Sequence, residues 1–246
     1  VWEGLVEVVL AQNGEGLLLK EDESLLIEMN GEFTNNSQTD FSVFARIDDN
    51  QPRIVNENYL YWPFENYRKN YFENKGSHQN NHYTMTLSDK TKLLGRGKIG
   101  RGLHFNGNKL LAQSDYRGVG GSDARSIAYW VRVPAEAKAG NAYAMVGWGS
   151  VNQSEKWQLG WNPSRVDGVV GAIRTEFSGG YVIGTTDLRD GRWHHIVSVF
   201  TGGEAADVAT HVRHYVDGKL EGVSGYLSCK IKTKIGGEGS VPLTLG

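Results

Sequence analysis

Apolar and polar residues alternate along much of the chain with the two-residue period of half-buried β-strands. In HVRHYVDGKLEGV, residues 211–223, Val212, His214 and Val216 alternate with Arg213 and Tyr215, and Asp217-Gly218 offers a two-residue turn into a second short strand. That pattern predicts a hairpin. LRDGRWHHIVSVF, residues 188–200, predicts another strand, with Trp193, His195, Val197 and Val199 on one face and His194, Ile196, Ser198 and Phe200 on the other. The two adjacent histidines therefore cannot share a metal ion, and no H-E-x-x-H pattern occurs. RSIAYWVRVP, AYAMVGWGS, KWQLGWN and DGVVGAIRTEF predict further strands at the spacing of an all-β sandwich. Helix is scarce, with one short turn of helix expected at PAEAKAG, which Pro134 opens.

Asn-Gly or Asp-Gly pairs at positions 13, 30, 106, 167, 190 and 217 punctuate these runs as strand ends. The first fifty residues behave separately. EVVLAQNGEGLLLKEDESLLIEMNGEFT alternates short apolar strands with polar turns, its acidic KEDES reading as a solvated turn, and small β-roll stacking fits it. ARIDDNQPRIVNENY is polar, contains Pro52 and has the composition of a linker. The expected organisation is a small β unit over 1–50, a linker over 51–57 and one sandwich over 58–246.

Composition narrows the function. The 246 residues have a formal net charge of -2, which gives no field to attract nucleic acid or an anionic membrane. No segment reaches the roughly 18 apolar residues needed to cross a bilayer as a helix. Cys229 is the single cysteine, so no internal disulfide and no Cys-rich zinc site can form. The abrupt start at VWEGLVEVVL is expected of a piece of a longer protein.

Few motifs carry chemistry. GRGKIGRG, residues 95–102, contains a literal G-x-G-x-x-G, but LHFNGNKLL after it alternates like a strand, whereas a dinucleotide fingerprint needs a helix there. Glycoside hydrolysis needs two facing carboxylates, and no E-x-D-x-E strand is present. The serines and histidines form no legible triad. YFENKGSHQNNHY, residues 71–83, is rich in the hard oxygen donors calcium takes, with Glu73 and Gly76 as the metal-site candidates. Trp148, Trp157 and Trp161 are the ligand-binding candidates, since an exposed indole offers a flat face to a sugar ring while a buried one fills core.

From about residue 58 the chain resembles the laminin-G-like, concanavalin A-like jelly-roll family. The resemblance rests on YLYWPFEN as an opening strand, GKIGRGLHFNG, RSIAYWVRVP, and LRDGRWHHIVSVF followed by HVRHYVDGKLEG. It implies two antiparallel sheets packed face to face. Family members often hold Ca2+ between an early Asp-x-x-Gly-Asn loop and a closing Asp-Glu strand. Here the loop reads Glu73, Asn74, Lys75, Gly76, Ser77, and the chain stops at VPLTLG, so a missing last strand and self-association through an open sheet edge are expected. NGEGLLLKEDESLLIEMNGEFTNNSQTDFSVFARI is similar to the C-terminal part of a FecR-type sensor domain. Together these resemblances imply a non-catalytic module of the bacterial cell surface or periplasm that binds a glycan or a protein. The alternatives are a self-assembling surface protein and an accessory carbohydrate-binding domain of a polysaccharide-degrading enzyme.

Overall fold

The hairpin foreseen at 211–223 forms as β-branched residues and a two-residue turn dictate. Val212–Val216 pairs antiparallel with Lys219–Leu220, and Asp217 and Gly218 take φ of 51° and 78°, the double left-handed geometry of a tight hairpin turn. The computed structural model describes residues 59–78, 82–89, 93–105, 110–138, 144–150, 152, 155–177 and 179–246, with four short strands before residue 56. The KEDES turn, the linker at 51–57 and the Asn-Gly turns at 13, 30 and 106 lie outside the described residues. The chain divides into two units, Val1–Asn56 and Glu57–Gly246.

In the first unit, β1 (Val6–Val9) pairs antiparallel with β2 (Gly16–Leu19), and β3 (Ser24–Ile27) with β4 (Phe33–Asn36). The second unit begins with β5 (Tyr71–Glu73), β6 (Thr84–Leu87), β7 (Leu94–Arg96), β8 (Arg101–Leu103) and β9 (Ala112–Ser114). Longer strands follow: β10 (Arg125–Arg132), β11 (Ala144–Ser150), β12 (Lys156–Trp161), β13 (Ala172–Phe177), β14 (Gly180–Asp187) and β15 (Trp193–Phe200). One turn of helix, α1 (Val208–His211), then leads to β16 (Val212–Val216), β17 (Lys219–Leu220), β18 (Gly225–Leu227) and β19 (Ser240–Leu245).

Two sheets result. One has four strands in the order β10-β15-β16-β17, and the other nine in the order β18-β14-β13-β12-β11-β19-β9-β6-β5. Their inner faces share one core, in which Trp157, Leu159 and Ile173 of the large sheet meet Ile196, Phe200 and Val212 of the small one. Trp157 and Phe200 touch across the sandwich with ring centroids 5.5 Å apart. β15 alternates half-buried and buried residues along its whole length, with His194 inward and His195 outward as the period requires.

Several local expectations are corrected. In PAEAKAG residues 134–137 form a turn closed by Ala137 N–H to Pro134 C=O at 3.0 Å, not a helix, while the helical turn sits at α1, capped by Asp207, whose side chain accepts from Ala209 N–H. YLYWPFEN is no strand: Pro63 lacks a donor and Phe64 has a φ of 63°. GRGKIGRG is the turn of the β7–β8 hairpin, so no helix N-terminus stands behind it. VPLTLG lies in β19, paired with β11 on one side and β9 on the other, so the open edge expected beside it lies elsewhere. The nine-stranded sheet has its edges at β18 and β5 instead.

Polar side chains pin this core at three points. Arg125, only 6% exposed, uses all five of its N–H donors. Nε donates to Asp123 C=O at 2.9 Å, Nη1 to Val119 C=O and Thr233 Oγ1 at 2.8 and 2.9 Å, and Nη2 to Gly120 and Gly121 C=O at 3.2 and 3.0 Å. The guanidinium also lies over the Trp157 and Phe200 rings. Burial lowers its pKa to about 10, which leaves it charged at neutral pH. At the second point Thr175 Oγ1 of β13 bonds His214 Nε2 of β16 at 2.7 Å and Ser198 Oγ of β15 at 3.1 Å, all three residues being buried.

The third point is His194, whose two ring nitrogens meet Asp217 Oδ2 at 2.8 Å and Asp190 Oδ1 at 3.1 Å. Only an imidazolium can donate to both. Burial by itself would lower its pKa, but the two carboxylates outweigh it and hold His194 above its ordinary 6.5. His214 behaves oppositely, because burial drops it to about 4.

Replacing Arg125 by Met is expected to cost about 2–4 kcal/mol in urea denaturation, because it strands buried acceptors. Arg125→Lys should fall between, since an ammonium has only three donors for five acceptors. The two histidines set opposite pH limbs. His194 stabilises fully below pH 6.5 and its contribution fades as pH rises through the raised folded value. His214 must stay neutral, so its contribution is complete above 6.5 and is lost as pH falls towards 4, amounting to about 3 kcal/mol. Unfolding midpoints measured from pH 4.5 to 9 should thus peak at about pH 6.5. His194→Gln should flatten the alkaline limb, and His214→Asn the acid limb.

Candidate ligand-binding faces

The three tryptophans singled out by sequence belong to the core. Trp148, Trp157 and Trp161 are 3%, 0% and 9% exposed, and no sugar ring reaches their faces. Trp157, Leu159 and Trp161 share one face of β12, so the apolar parity of that strand already marks it as inward. Trp148 stacks on Trp157 at 6.0 Å, and its indole N–H donates to Val119 C=O, the carbonyl that also serves Arg125. Gly118, at a φ of 94°, passes directly against the Trp148 ring, where a side chain would collide.

The calcium candidates sit in a loop that the protein closes with its own groups. Glu73 ends β5, is exposed, and pairs with Lys75 Nζ at 2.8 Å, which holds its carboxyl below the usual range. Asn74 Oδ1 accepts from the Tyr61 and Gly76 N–H groups. Gly76 runs so close to the Tyr59 backbone that no side chain fits. Among the described residues no three His, Cys, Asp or Glu side chains gather to hold a metal. One ion-paired carboxylate falls well short of the six to eight oxygens calcium takes, so these residues do not fit the ion.

The outward face of the nine-stranded sheet is polar from β5 to β14, and only at the edge strand β18 does the row end on an apolar residue, Leu227. Register places Tyr71, Thr86, Gln113 and Thr244 in one row on β5, β6, β9 and β19, and Gln158, Glu176 and Tyr181 continue it on β12, β13 and β14. Between the two halves β11 contributes Gly147, so no side chain rises there. A cleft of about 360 Å3 opens on this face, lined by Thr84, Thr86, Gln113, Asp115, Arg117 and Pro242. Its groups are held in place: Asp115 Oδ1 accepts from Thr84 N–H at 2.8 Å, and Gln113 Nε2 donates to Thr244 Oγ1 at 3.3 Å.

Acidic groups here are neutralised locally. Arg174 reaches Asp167 Oδ2 at 2.9 Å and Glu176 Oε2 at 2.8 Å while lying 3.9 Å over the Tyr181 ring. The hydrogen bond from Arg174 holds the Asp167 carboxyl low, whereas burial and the bond to Asp167 raise the Tyr181 hydroxyl. Every described carboxyl group whose pKa is displaced is displaced downward.

Sequence reasoning missed the exposed indoles. Trp130, 43% exposed, stands on the outward face of β10, and Trp193, half-buried, on that of β15. The signal was parity: Ser126 and Arg132 share the face of Trp130, and a face with a serine and an arginine looks to solvent. Trp130 lies 5.1 Å from the His195 ring, with Lys98 Nζ 5.2 Å above its centroid.

Comparison with known proteins agrees with this architecture. No curated protein matches the chain. The Laminin_G_3 family model, described as the concanavalin A-like lectin/glucanases superfamily, matches residues 105–237, more than half of the chain and most of both sheets. With an antiparallel two-sheet sandwich, and the family's own model spanning β9 to β18, this chain belongs to the concanavalin A-like lectin/glucanases superfamily.

Proposed function

We propose that the chain is a non-catalytic glycan-binding module whose ligand lies across the polar face of the nine-stranded sheet. The observation that carries this is the outward row of Thr86, Gln113, Thr244, Gln158, Glu176 and Tyr181, interrupted by Gly147 and adjoining the cleft. A neutral sugar chain offers hydroxyl groups that donate and accept, and this face meets them with amides and hydroxyls already fixed by the sheet. Glucans are the sugar class named in the superfamily's description, and they are the first ligands to try.

The absence of catalysis in this reading rests on charge. A glycosidase keeps one carboxylic acid protonated beside a second, ionised carboxylate. Here Glu176 and Asp167 share Arg174, and Asp115 is tied to Thr84. The FecR-type resemblance of residues 1–50 supports an envelope setting for the module. A second reading, self-association, is favoured by the edge strand β18, where Tyr226 and Leu227 are 64% and 51% exposed.

Laminarin and hydroxyethylcellulose are the probes. The chain is expected to bind at least one of them by calorimetry, to release no reducing sugar, and to lose affinity about tenfold in the Gln113→Ala/Gln158→Ala double variant. Binding that ignores both substitutions, or retention of neither glucan, overturns the reading. Light scattering on the eluted chain tests the alternative, for which a dimer that Tyr226→Glu dissolves is the expected result.

A further inference from the structure

We propose that the outward face of the four-stranded sheet is a second binding surface, built for an acidic polysaccharide. It lies on the other sheet from the glucan face and selects by charge, so it stands independently of that reading. Its outward positions are Ser126, Ala128, Trp130 and Arg132 on β10, Trp193, His195, Val197 and Val199 on β15, and Arg213, Tyr215 and Leu220 beyond. Two of these are arginines and none is acidic. Lys98, from the β7–β8 turn, adds a third cation beside Trp130. Asp217, at the rim, is already committed to His194 and to the His195 N–H.

The wider charge agrees. Over residues 57–246 Lys and Arg outnumber Asp and Glu by 23 to 17, although the whole chain is weakly negative. A polyanion is drawn to this unit rather than repelled by it.

The arrangement of rings and cations identifies the ligand further. Lys98 lies over Trp130, and the Arg132 guanidinium lies 5.4 Å from the centroid of Trp193. In the β10–β15 register Arg132 faces Trp193 and Trp130 faces His195, and with Lys98 over Trp130 an indole and a cation stand together on each of two neighbouring strands. A matching ligand repeats a flat apolar ring face together with an anionic group. A chain of uronic acid residues does so at every unit, the ring stacking on indole and the carboxylate meeting Lys98 or Arg132. An acidic peptide supplies the charges without a ring face beside each one.

Polygalacturonate titrated into the full chain by calorimetry is the test, with laminarin read in parallel so that the glucan face is scored separately. The wild-type chain should bind polygalacturonate with an affinity that falls as NaCl is raised. Trp130→Ala and the Lys98→Gln/Arg132→Gln pair should each weaken that binding about tenfold while circular dichroism shows the fold intact. Both substitutions are at the surface, and the charge pair keeps the test valid if the tryptophan variant misfolds. The proposal is overturned if polygalacturonate does not bind, if neither variant alters its binding, or if poly-glutamate displaces it at equal charge concentration, which would assign the face to an acidic protein. Loss of laminarin binding alone counts against the glucan reading and leaves this one standing.

Discussion

Arg125 is a buried charge with no ion pair among the described residues, and the sandwich is organised around satisfying it. Four backbone carbonyls between residues 119 and 123, together with Thr233, turn inward to accept its five N–H groups. Those acceptors lie in two segments that would otherwise be surface loops. One precedes β10 and the other precedes β19, so the guanidinium ties the entrance of the small sheet to the last strand of the large one. Val119 C=O is shared with the Trp148 indole, and the Trp157 and Phe200 rings close the site. Loop, strand and aromatic core therefore depend on one side chain. A lysine has too few donors to do the same work.

The two sheets are also joined by polar contacts that hydrophobic burial alone would not choose. Thr175 reaches across from β13 to His214 and Ser198 on the opposite sheet. Close packing tolerates many apolar substitutions, whereas a hydrogen-bonded chain admits only one relative placement of its members. His194 completes a different connection, holding the Asp190 turn before β15 and the Asp217 turn after β16 together at one end of the strand pair. Burial thus pushes one histidine towards its neutral form and two carboxylates push another towards its charged form, on adjacent strands of one sheet.

Pinned in this way, the sandwich presents two outward faces of contrasting chemistry. The larger is a run of amides and hydroxyls broken by Gly147, with its acids neutralised by Arg174. The smaller carries exposed indoles beside cations. Both follow from strand parity, because the residues that do not fill the core must face outward, and what they are then decides what the surface can hold.

Alternation, turn dipeptides and one family's motifs were enough to read the long strands β10 to β13, β15 and β16, the Asp217-Gly218 hairpin and the sandwich class directly from sequence, whereas β14 went unread. These are local properties: a two-residue period and a left-handed turn are written in neighbouring residues. Tertiary structure decided the rest. The position of VPLTLG between β11 and β9 depends on pairing with strands far away in the chain, and the edges of the sheet move with it. Composition does not distinguish Trp148 and Trp157, which fill core, from Trp130, which meets solvent; burial depends on which sheet covers each strand. Nothing local marks Arg125 as central, since its acceptors are carbonyls, which every residue possesses, and only the folded chain turns four of them towards one point.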